Sequence, residues 1–511
     1  MAKDVLNKIL KGAGLMFLGM IFSKFITYFY RIVVARYIGP DAYGQLALGL
    51  TVLGIATTLS QLGLNQGVQK FVPEARKEKD KAKLKGILLS SIQIVTISSL
   101  IVGITTYLSA EFIATEIFGN AAIKPIIQVF AFVPFASKIG HTYIDLSNGF
   151  NTMKYEVLLV RIIQPVIQLV ATLILAFTGM KIMAAAWGWF IGEIIIMPLA
   201  VILIDRKFGP FLFSDIKAKN MHKKLLTYSY PLVLSGVVGT ALGWGDTALL
   251  GYFMSDKAVG FYNAALPTAL LVTLPAQAIS SLSLPSFSEL GAESSRKQQE
   301  ALKTTTRWVF SLAFPAFLLM ALFPEKLMIL LFGSQYSTAS TALAILAFGN
   351  LIGSSTGQLG SFLKSNSNTK IVFWNTSANL IFNLGLNIIL IPLYGIEGAA
   401  IATAASTIFI ETILLIEVYR LHGAQPFSKK MLYSIPAGIT SLVITYAIFK
   451  MAFDTTPVWV LFPAGIVFMT LYVVIFLKTG GLTEYDEKIV KTSGRKIGLE
   501  KEAEKALKLL T

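Results

Sequence analysis

Long apolar runs recur along the whole chain, and they restrict the possible folds more than any other feature. The 511 residues are 54% hydrophobic and only 14% charged, whereas about a quarter of the residues in a typical soluble domain are charged. A helix needs about 20 mostly apolar residues to cross a bilayer, and runs of that length recur between Gly12 and Leu477. We therefore predict an all-α, polytopic membrane protein with about fourteen transmembrane helices.

Basic residues in the connections predict the orientation of these helices. The even-numbered connections hold most of the lysines and arginines, for example those at 70–85 and 206–224, whereas the opposite connections hold isolated charges. Loops rich in Lys and Arg stay in the cytoplasm. We therefore expect both termini to be cytoplasmic in a multi-pass protein of the cytoplasmic (plasma) membrane.

The two halves of the chain echo each other at an offset near 216 residues. The pairs are Tyr37 to Gly44 with Tyr252 to Gly260, Phe118-Gly119 with Phe332-Gly333, and Gly179 with Gly395. A repeat of six helices preserves topology, which predicts two bundles related by a twofold axis along the membrane normal.

This repeat predicts the domain organisation. The expected parts are an N-terminal six-helix lobe at 1–204, a cytoplasmic linker at 205–225, a C-terminal six-helix lobe at 226–418, two additional transmembrane helices at 431–477 and a basic cytoplasmic tail at 478–511. Within the linker, aromatic and basic residues suit either a helix on the inner membrane surface or a solvated connection.

Several motifs carry a family resemblance. They are ARYIGPDAYG at 35–44, QLGLN at 61–65, FVPE at 71–74, LFGSQY at 331–336 and PLYGIEGAA at 392–400. Over nearly the whole chain, to about Leu477, the sequence resembles the polysaccharide transporter (oligosaccharide flippase, Wzx-like) family of the multidrug/oligosaccharidyl-lipid/polysaccharide (MOP) exporter superfamily. The resemblance implies a monomer that moves a polyprenyl- or dolichyl-linked oligosaccharide from the inner to the outer leaflet, for cell-surface polysaccharide or glycan assembly.

Four basic residues at membrane depth are candidate substrate-binding residues: Lys24, Arg31, Lys138 and Arg161. A charge inside a bilayer costs a few kcal/mol and needs a reason. A cationic wall would bind the (pyro)phosphate of a lipid-linked sugar. The alternative is that these long side chains extend to the membrane surface.

Three acidic residues complete the candidate sites. Asp246 lies 215 residues after Arg31, so the two could form a charge pair that closes an outer gate; separate pairs within each lobe are the alternative. Glu193 and Glu411 occupy near-equivalent positions and could bind H⁺ or Na⁺, or could simply stabilise each lobe. His141 beside Asp145 is a further proton-relay candidate.

Glycines spaced by four also occur within the predicted spans, and they would allow close helix packing. These pairs are Gly188/Gly192, Gly239/Gly243 and Gly353/Gly357.

Several protein classes are excluded or disfavoured. Cysteine is absent and the three histidines are scattered, so no metal site or cofactor is predicted. No nucleophile–base pair indicates an enzyme, and no motif indicates nucleic-acid binding.

The expected partners are the sugar lipid, membrane lipids, a coupling H⁺ or Na⁺ and other polysaccharide-assembly proteins. A multidrug or organic cation antiporter of the same superfamily is the alternative function, and an assembly scaffold is the third.

Overall fold

The computed structural model describes residues 2–211, 214–356, 358–366, 368–452, 458–481 and 486. Within these residues every regular element is a helix and there is no strand, which confirms the predicted all-α class. Most of the predicted basic tail, from Leu482 onward apart from Asp486, lies outside the described residues.

The helices follow one another with short connections. In chain order they are α1 (Ala2–Gln61), α2 (Leu64–Lys77), α3 (Lys81–Leu108), α4 (Ala110–Phe112), α5 (Lys124–Ala131), α6 (Val133–Gly149), α7 (Gln164–Phe177), α8 (Lys181–Phe208), α9 (His222–Phe253), α10 (Asp256–Ala269), α11 (Leu274–Glu293), α12 (Ser295–Leu322), α13 (Pro324–Phe332), α14 (Ser340–Thr356), α15 (Leu359–Ser365), α16 (Thr369–His422), α17 (Ser434–Ala452) and α18 (Leu461–Lys478). Two π-helices, Ile113–Ile117 and Glu156–Ile163, and short 3₁₀ turns lie between them.

Two helices are much longer than a bilayer is thick. At 1.5 Å per residue, the 60 residues of α1 would extend about 90 Å and the 54 of α16 about 80 Å, against an apolar core of about 30 Å. Each is interrupted by a glycine with non-helical backbone angles, Gly39 (φ 77°) and Gly395 (φ 58°). The described residues hold twelve helical segments long and apolar enough to span a membrane. Two of these contain the glycine interruptions, and the expected number of about fourteen stays a prediction.

Two matched glycine pairs of the sequence repeat share an unusual backbone conformation. Gly119 (φ 64°) and its counterpart Gly333 (φ 99°) both have positive φ, as do Gly179 (φ 83°) and Gly395 (φ 58°). Positive φ is strained for residues with a side chain and easy for glycine. The repeat therefore preserves chain turns as well as residue types.

The helices form two compact units. The first contains the chain up to Ala264 together with Asn383–Ala399, and the second contains Ala265–Phe382 and the chain from Ala400. The lobes at 1–204 and 226–418 stay a prediction.

In the first unit, small residues allow helices to pack closely. A Cβ on Gly192 of α8 would lie 2.6 Å from the side chain of Gln168 in α7, and one on Gly188 would meet Thr172. Close packing at this pair is thus confirmed. At Gly239 and Gly243 of α9 nothing lies within 4 Å of a built Cβ, so the prediction is wrong there: spacing shows which glycines share a helix face, not what that face meets.

The part of α1 that follows Gly39 and the start of α10 cross at two glycines of the repeat. A Cβ on Gly44 would collide with the carbonyl oxygen of Asp256, and one on Gly260 would collide with the carbonyl oxygen of Pro40. Gly44 and Gly260 are 216 residues apart, as are the two colliding carbonyls. The contact is therefore reciprocal and follows the offset of the sequence repeat.

The linker is neither a surface helix nor a free solvated segment in its described residues. Residues 214–221 have no helical turn, and they are tied to the start of α3. Lys219 N donates to the Ala82 carbonyl (3.1 Å), and Lys85 Nζ donates to the Ser214 carbonyl.

In the second unit, the two additional helices α17 and α18 pack on α12. The hydroxyls of Ser311 and Ser434 are 2.8 Å apart, and the Tyr472 hydroxyl donates to the Ser311 carbonyl at 2.7 Å. A buried ion pair ties the chain beyond α18 to the same helix, with Arg307 Nη2 2.7 Å from Asp486 Oδ2.

Candidate functional site

Three of the four predicted basic residues come together in the first unit. Lys24 lies close enough to Arg31 and Arg161 to be repelled electrostatically by both. Arg31 is two helical turns after Lys24 on α1, and Arg161 is on the π-helix Glu156–Ile163, which packs against α1. A polar ligand bound here would meet positive charge from two segments of the chain.

The basic residues of this cationic cluster differ in their partners. Arg161 forms an ion pair with Glu156 at 3.0 Å, and Arg31 lies beside the hydroxyl of buried Tyr43. Among the described residues, neither Lys24 nor Arg31 forms an ion pair with a carboxylate. Lys24 is exposed and Arg31 half-buried. The cluster therefore keeps positive charge available for an anionic ligand.

Lys138 belongs to a different group of side chains. It is buried, with 6% of its surface exposed, and its Nζ donates to Gln61 Oε1 at 3.0 Å. The carboxylates of Glu193 and Asp145 attract it. The structure thus places Lys138 in a mixed-charge network on α6 and α8.

The predicted gate residue Asp246 has neutral partners within the first unit. Its carboxylate accepts a hydrogen bond from the Tyr262 hydroxyl at 2.7 Å and another from Asn387 Nδ2 at 2.8 Å. Asn387 is completely buried. A charge pair between Asp246 and Arg31 stays a prediction.

The two candidate ion-coupling carboxylates have different surroundings. Glu193 is 7% exposed, accepts a hydrogen bond from Gln164 Nε2 at 2.6 Å, and lies 3.4 Å from His141 Nε2. Glu411 lies in the second unit and is half-buried, with Thr356 near its carboxylate. The described residues contain no group of three or more His, Cys, Asp or Glu side chains arranged to hold a metal ion.

Sequence reasoning missed the neutral partners of these charges. Gln61, Gln164, Tyr262 and Asn387 each hydrogen-bond a charged group at membrane depth. Buried amides and hydroxyls in apolar helices need partners, and that was the available signal. Which charge each one contacts depends on tertiary packing.

The family comparisons agree with this architecture. Residues 9–291 match the model of the family described as "Polysaccharide biosynthesis protein", and residues 231–390 match the MatE model. The chain is 26% identical over 406 residues to a probable low-salt glycan biosynthesis flippase, Agl15, of Haloferax volcanii, covering 77% of this chain and 78% of that protein. It is 24% identical to Stage V sporulation protein B of Bacillus subtilis, covering 78% and 82%.

Solved structures share the fold. The lipid II flippase MurJ, in an inward closed conformation, aligns with a TM-score of 0.72 at 17% identity, covering 90% of this chain and 97% of that one. An inward-facing multidrug resistance MATE transporter of the MOP superfamily aligns with a TM-score of 0.65 at 14% identity, covering 78% and 94%. The family match spans more than half of the chain, and the fold extends over nearly all of it. The chain is a multi-pass membrane protein that belongs to the polysaccharide biosynthesis protein family of the MOP superfamily.

Proposed function

We propose that the chain is a flippase that carries a polyprenyl- or dolichyl-(pyro)phosphate-linked oligosaccharide from the inner to the outer leaflet by alternating access. The observation that carries this proposal is the cationic cluster of Lys24, Arg31 and Arg161 at membrane depth. Charge-assisted bonds from ammonium and guanidinium groups replace the hydration that a (pyro)phosphate loses inside a membrane. The names of the relatives in glycan biosynthesis and sporulation support a role in cell-surface polysaccharide or glycan assembly.

The proposal includes the parts expected from the sequence. Both termini lie in the cytoplasm of a cell whose plasma membrane holds the protein, and Arg31 with Asp246 closes an outer gate. Binding of H⁺ or Na⁺ at Glu193 or Glu411 couples transport to an ion gradient. The protein works as a monomer, in contact with membrane lipids and other assembly proteins, and catalyses no covalent reaction.

A leaflet-accessibility assay tests the central claim. The purified protein is reconstituted into vesicles with a fluorescent polyprenyl-pyrophosphate oligosaccharide. The assay follows the loss of fluorescence as labelled lipid reaches the outer leaflet and reacts with an external reagent. A charge-assisted hydrogen bond contributes about 1.5–3 kcal/mol, so Lys24→Ala and Arg31→Ala should each slow transport roughly 10- to 100-fold. Lys24→Arg keeps the charge and should retain most of the rate.

The control is Lys297→Ala, which removes a lysine that is exposed and paired with Glu293 at 2.8 Å in the second unit. Its rate should equal that of the wild type. If the wild type moves no sugar lipid but exchanges organic cations for H⁺ or Na⁺, the flippase assignment is wrong and the antiporter assignment replaces it.

Charge reversal tests the gate. Arg31→Asp and Asp246→Arg should each block transport, and the double exchange should restore part of it because the attraction is re-formed. If the double variant transports no faster than either single variant, Arg31 and Asp246 do not form the gate pair.

A further inference from the structure

A second polar group in the first unit lies next to the cationic cluster. Lys138, His141 and Asp145 recur at intervals of three and four along α6, so they share one face of that helix. Glu193 of α8 lies against this face, with its Oε2 3.4 Å from His141 Nε2. The group therefore joins two predicted membrane spans through titratable side chains.

Charged side chains face His141 from several elements. Lys138 and Asp145 lie on its own helix, Glu193 lies on α8, and Glu156 and Arg161 lie on the π-helix Glu156–Ile163. Lys24 of α1 lies close enough to Arg161 for the two to repel each other. Contacts between opposite charges lower the cost of keeping such groups inside a membrane.

Neutral side chains of other helices hydrogen-bond the charged members of this group. Gln61 of α1 accepts from Lys138, Gln69 of α2 donates to Asp145 at 3.0 Å, and Gln164 of α7 donates to Glu193. From α3, the apolar Val95 lines the small cavity beside Lys138 and His141.

One carboxylate oxygen of Glu193 is buried without a hydrogen-bond donor in the described part of the chain. Glu193 Oε1 accepts the bond from Gln164, but Glu193 Oε2 has no hydrogen-bond partner among the described residues. The residue is 7% exposed, so water cannot freely satisfy this oxygen. Leaving a buried charged acceptor unsatisfied costs about 1–3 kcal/mol or more. His141 Nε2 is the nitrogen placed to supply the missing donor.

We propose that His141 and Glu193 form a proton-binding site, in which the proton is held on His141 Nε2 and donated to Glu193 Oε2. The neutral imidazole accepts the proton on the Nε2 lone pair, and release returns it to solvent without any other bond changing. Use of this site to drive transport rests on the proposed function, whereas proton binding itself does not.

Histidine NMR on the wild-type protein tests the site directly. The chain has three histidines, so imidazole ¹⁵N signals in lipid nanodiscs can be assigned by single replacement. His222 and His422 serve as internal references. On acidification, the His141 signal should convert from the neutral to the doubly protonated form. Glu193→Gln keeps the side-chain shape but removes the charge. In this variant the population of doubly protonated His141 should be absent, or at least tenfold smaller than in the wild type at the same pH.

Two outcomes would overturn the site. One is a wild-type His141 that stays neutral throughout, a measurement that needs no variant. The other is an equal conversion in wild type and in folded Glu193→Gln. If Glu193→Gln fails to fold, Glu193→Asp replaces it: shortening the side chain lengthens the contact and should reduce the conversion, and an unchanged conversion rejects the pair.

A transport measurement then tests whether proton binding at His141 drives transport, which is a separate question from whether the proton binds. In vesicles, an imposed proton gradient should change the wild-type rate of sugar-lipid movement several-fold and leave His141→Gln unaffected. An equal response in both proteins rejects coupling through His141. A wild type that moves no sugar lipid while His141 still titrates rejects the proposed function and keeps the proton site.

Discussion

Adding one methyl group at the crossing of α1 and α10 should destabilise the first unit. Gly44 lies against the carbonyl oxygen of Asp256, and Gly260 lies against the carbonyl oxygen of Pro40. In Gly44→Ala the new Cβ overlaps main-chain atoms that cannot move aside as a flexible side chain would. The two helices must therefore separate locally, and their surrounding contacts weaken.

The expected magnitude follows from two opposing effects. Overpacking usually costs about 1–3 kcal/mol, and a main-chain obstacle favours the upper part of that range. Replacing a helical glycine by alanine returns about 0.5–1 kcal/mol. We expect a net loss near 2 kcal/mol for either Gly44→Ala or Gly260→Ala, about a 30-fold change in the ratio of folded to unfolded protein. Because the two sites share one contact, the double variant should lose less than the sum.

Reversible unfolding in mixed detergent micelles measures the effect, with the fluorescence of the six tryptophans as the signal. Gly243→Ala is the matched control, since Gly243 is also helical and nothing lies within 4 Å of a Cβ built there. It should be neutral or stabilised by up to about 1 kcal/mol. If Gly44→Ala is as stable as Gly243→Ala, the helices do not pack as closely as the structure shows, and the argument fails.

Two further predictions concern charged groups. The main-chain N–H of Lys83 and then the ammonium of Lys219 hold the pKa of Asp80 below its usual value; a lowered folded-state pKa stabilises above the unfolded value of about 3.9. Asp80→Asn should therefore lower Tm at neutral pH, and thermal scans should show that difference begin to shrink near pH 4 and disappear as the pH falls through the lowered folded-state pKa. Asp486→Ala leaves Arg307 charged and buried, so denaturant titration should show a loss of about 3–5 kcal/mol, and equal stability would contradict the ion pair.

Some features of this protein were determined by the sequence alone. The length of the apolar runs and the scarcity of charge required helices that cross a membrane. The repeat at an offset near 216 also coincides with shared geometry that was not predicted: paired glycines at 119/333 and 179/395 share positive φ, and Gly44 meets Gly260 reciprocally. The fold class could be predicted because it depends on local composition, and the glycines recur because positive φ favours glycine wherever it occurs.

Tertiary structure alone decided which charges meet. Lys24, Arg31, Lys138 and Arg161 are equivalent in the sequence as basic residues in apolar helices, yet Lys138 faces carboxylates whereas the other three cluster. Gly192 packs against Gln168, whereas no described residue lies within 4 Å of a Cβ built on Gly243, although both belong to glycine pairs of the same spacing. Helical periodicity assigns a residue to a face of its own helix, but only the arrangement of the neighbouring helices determines what that face contacts.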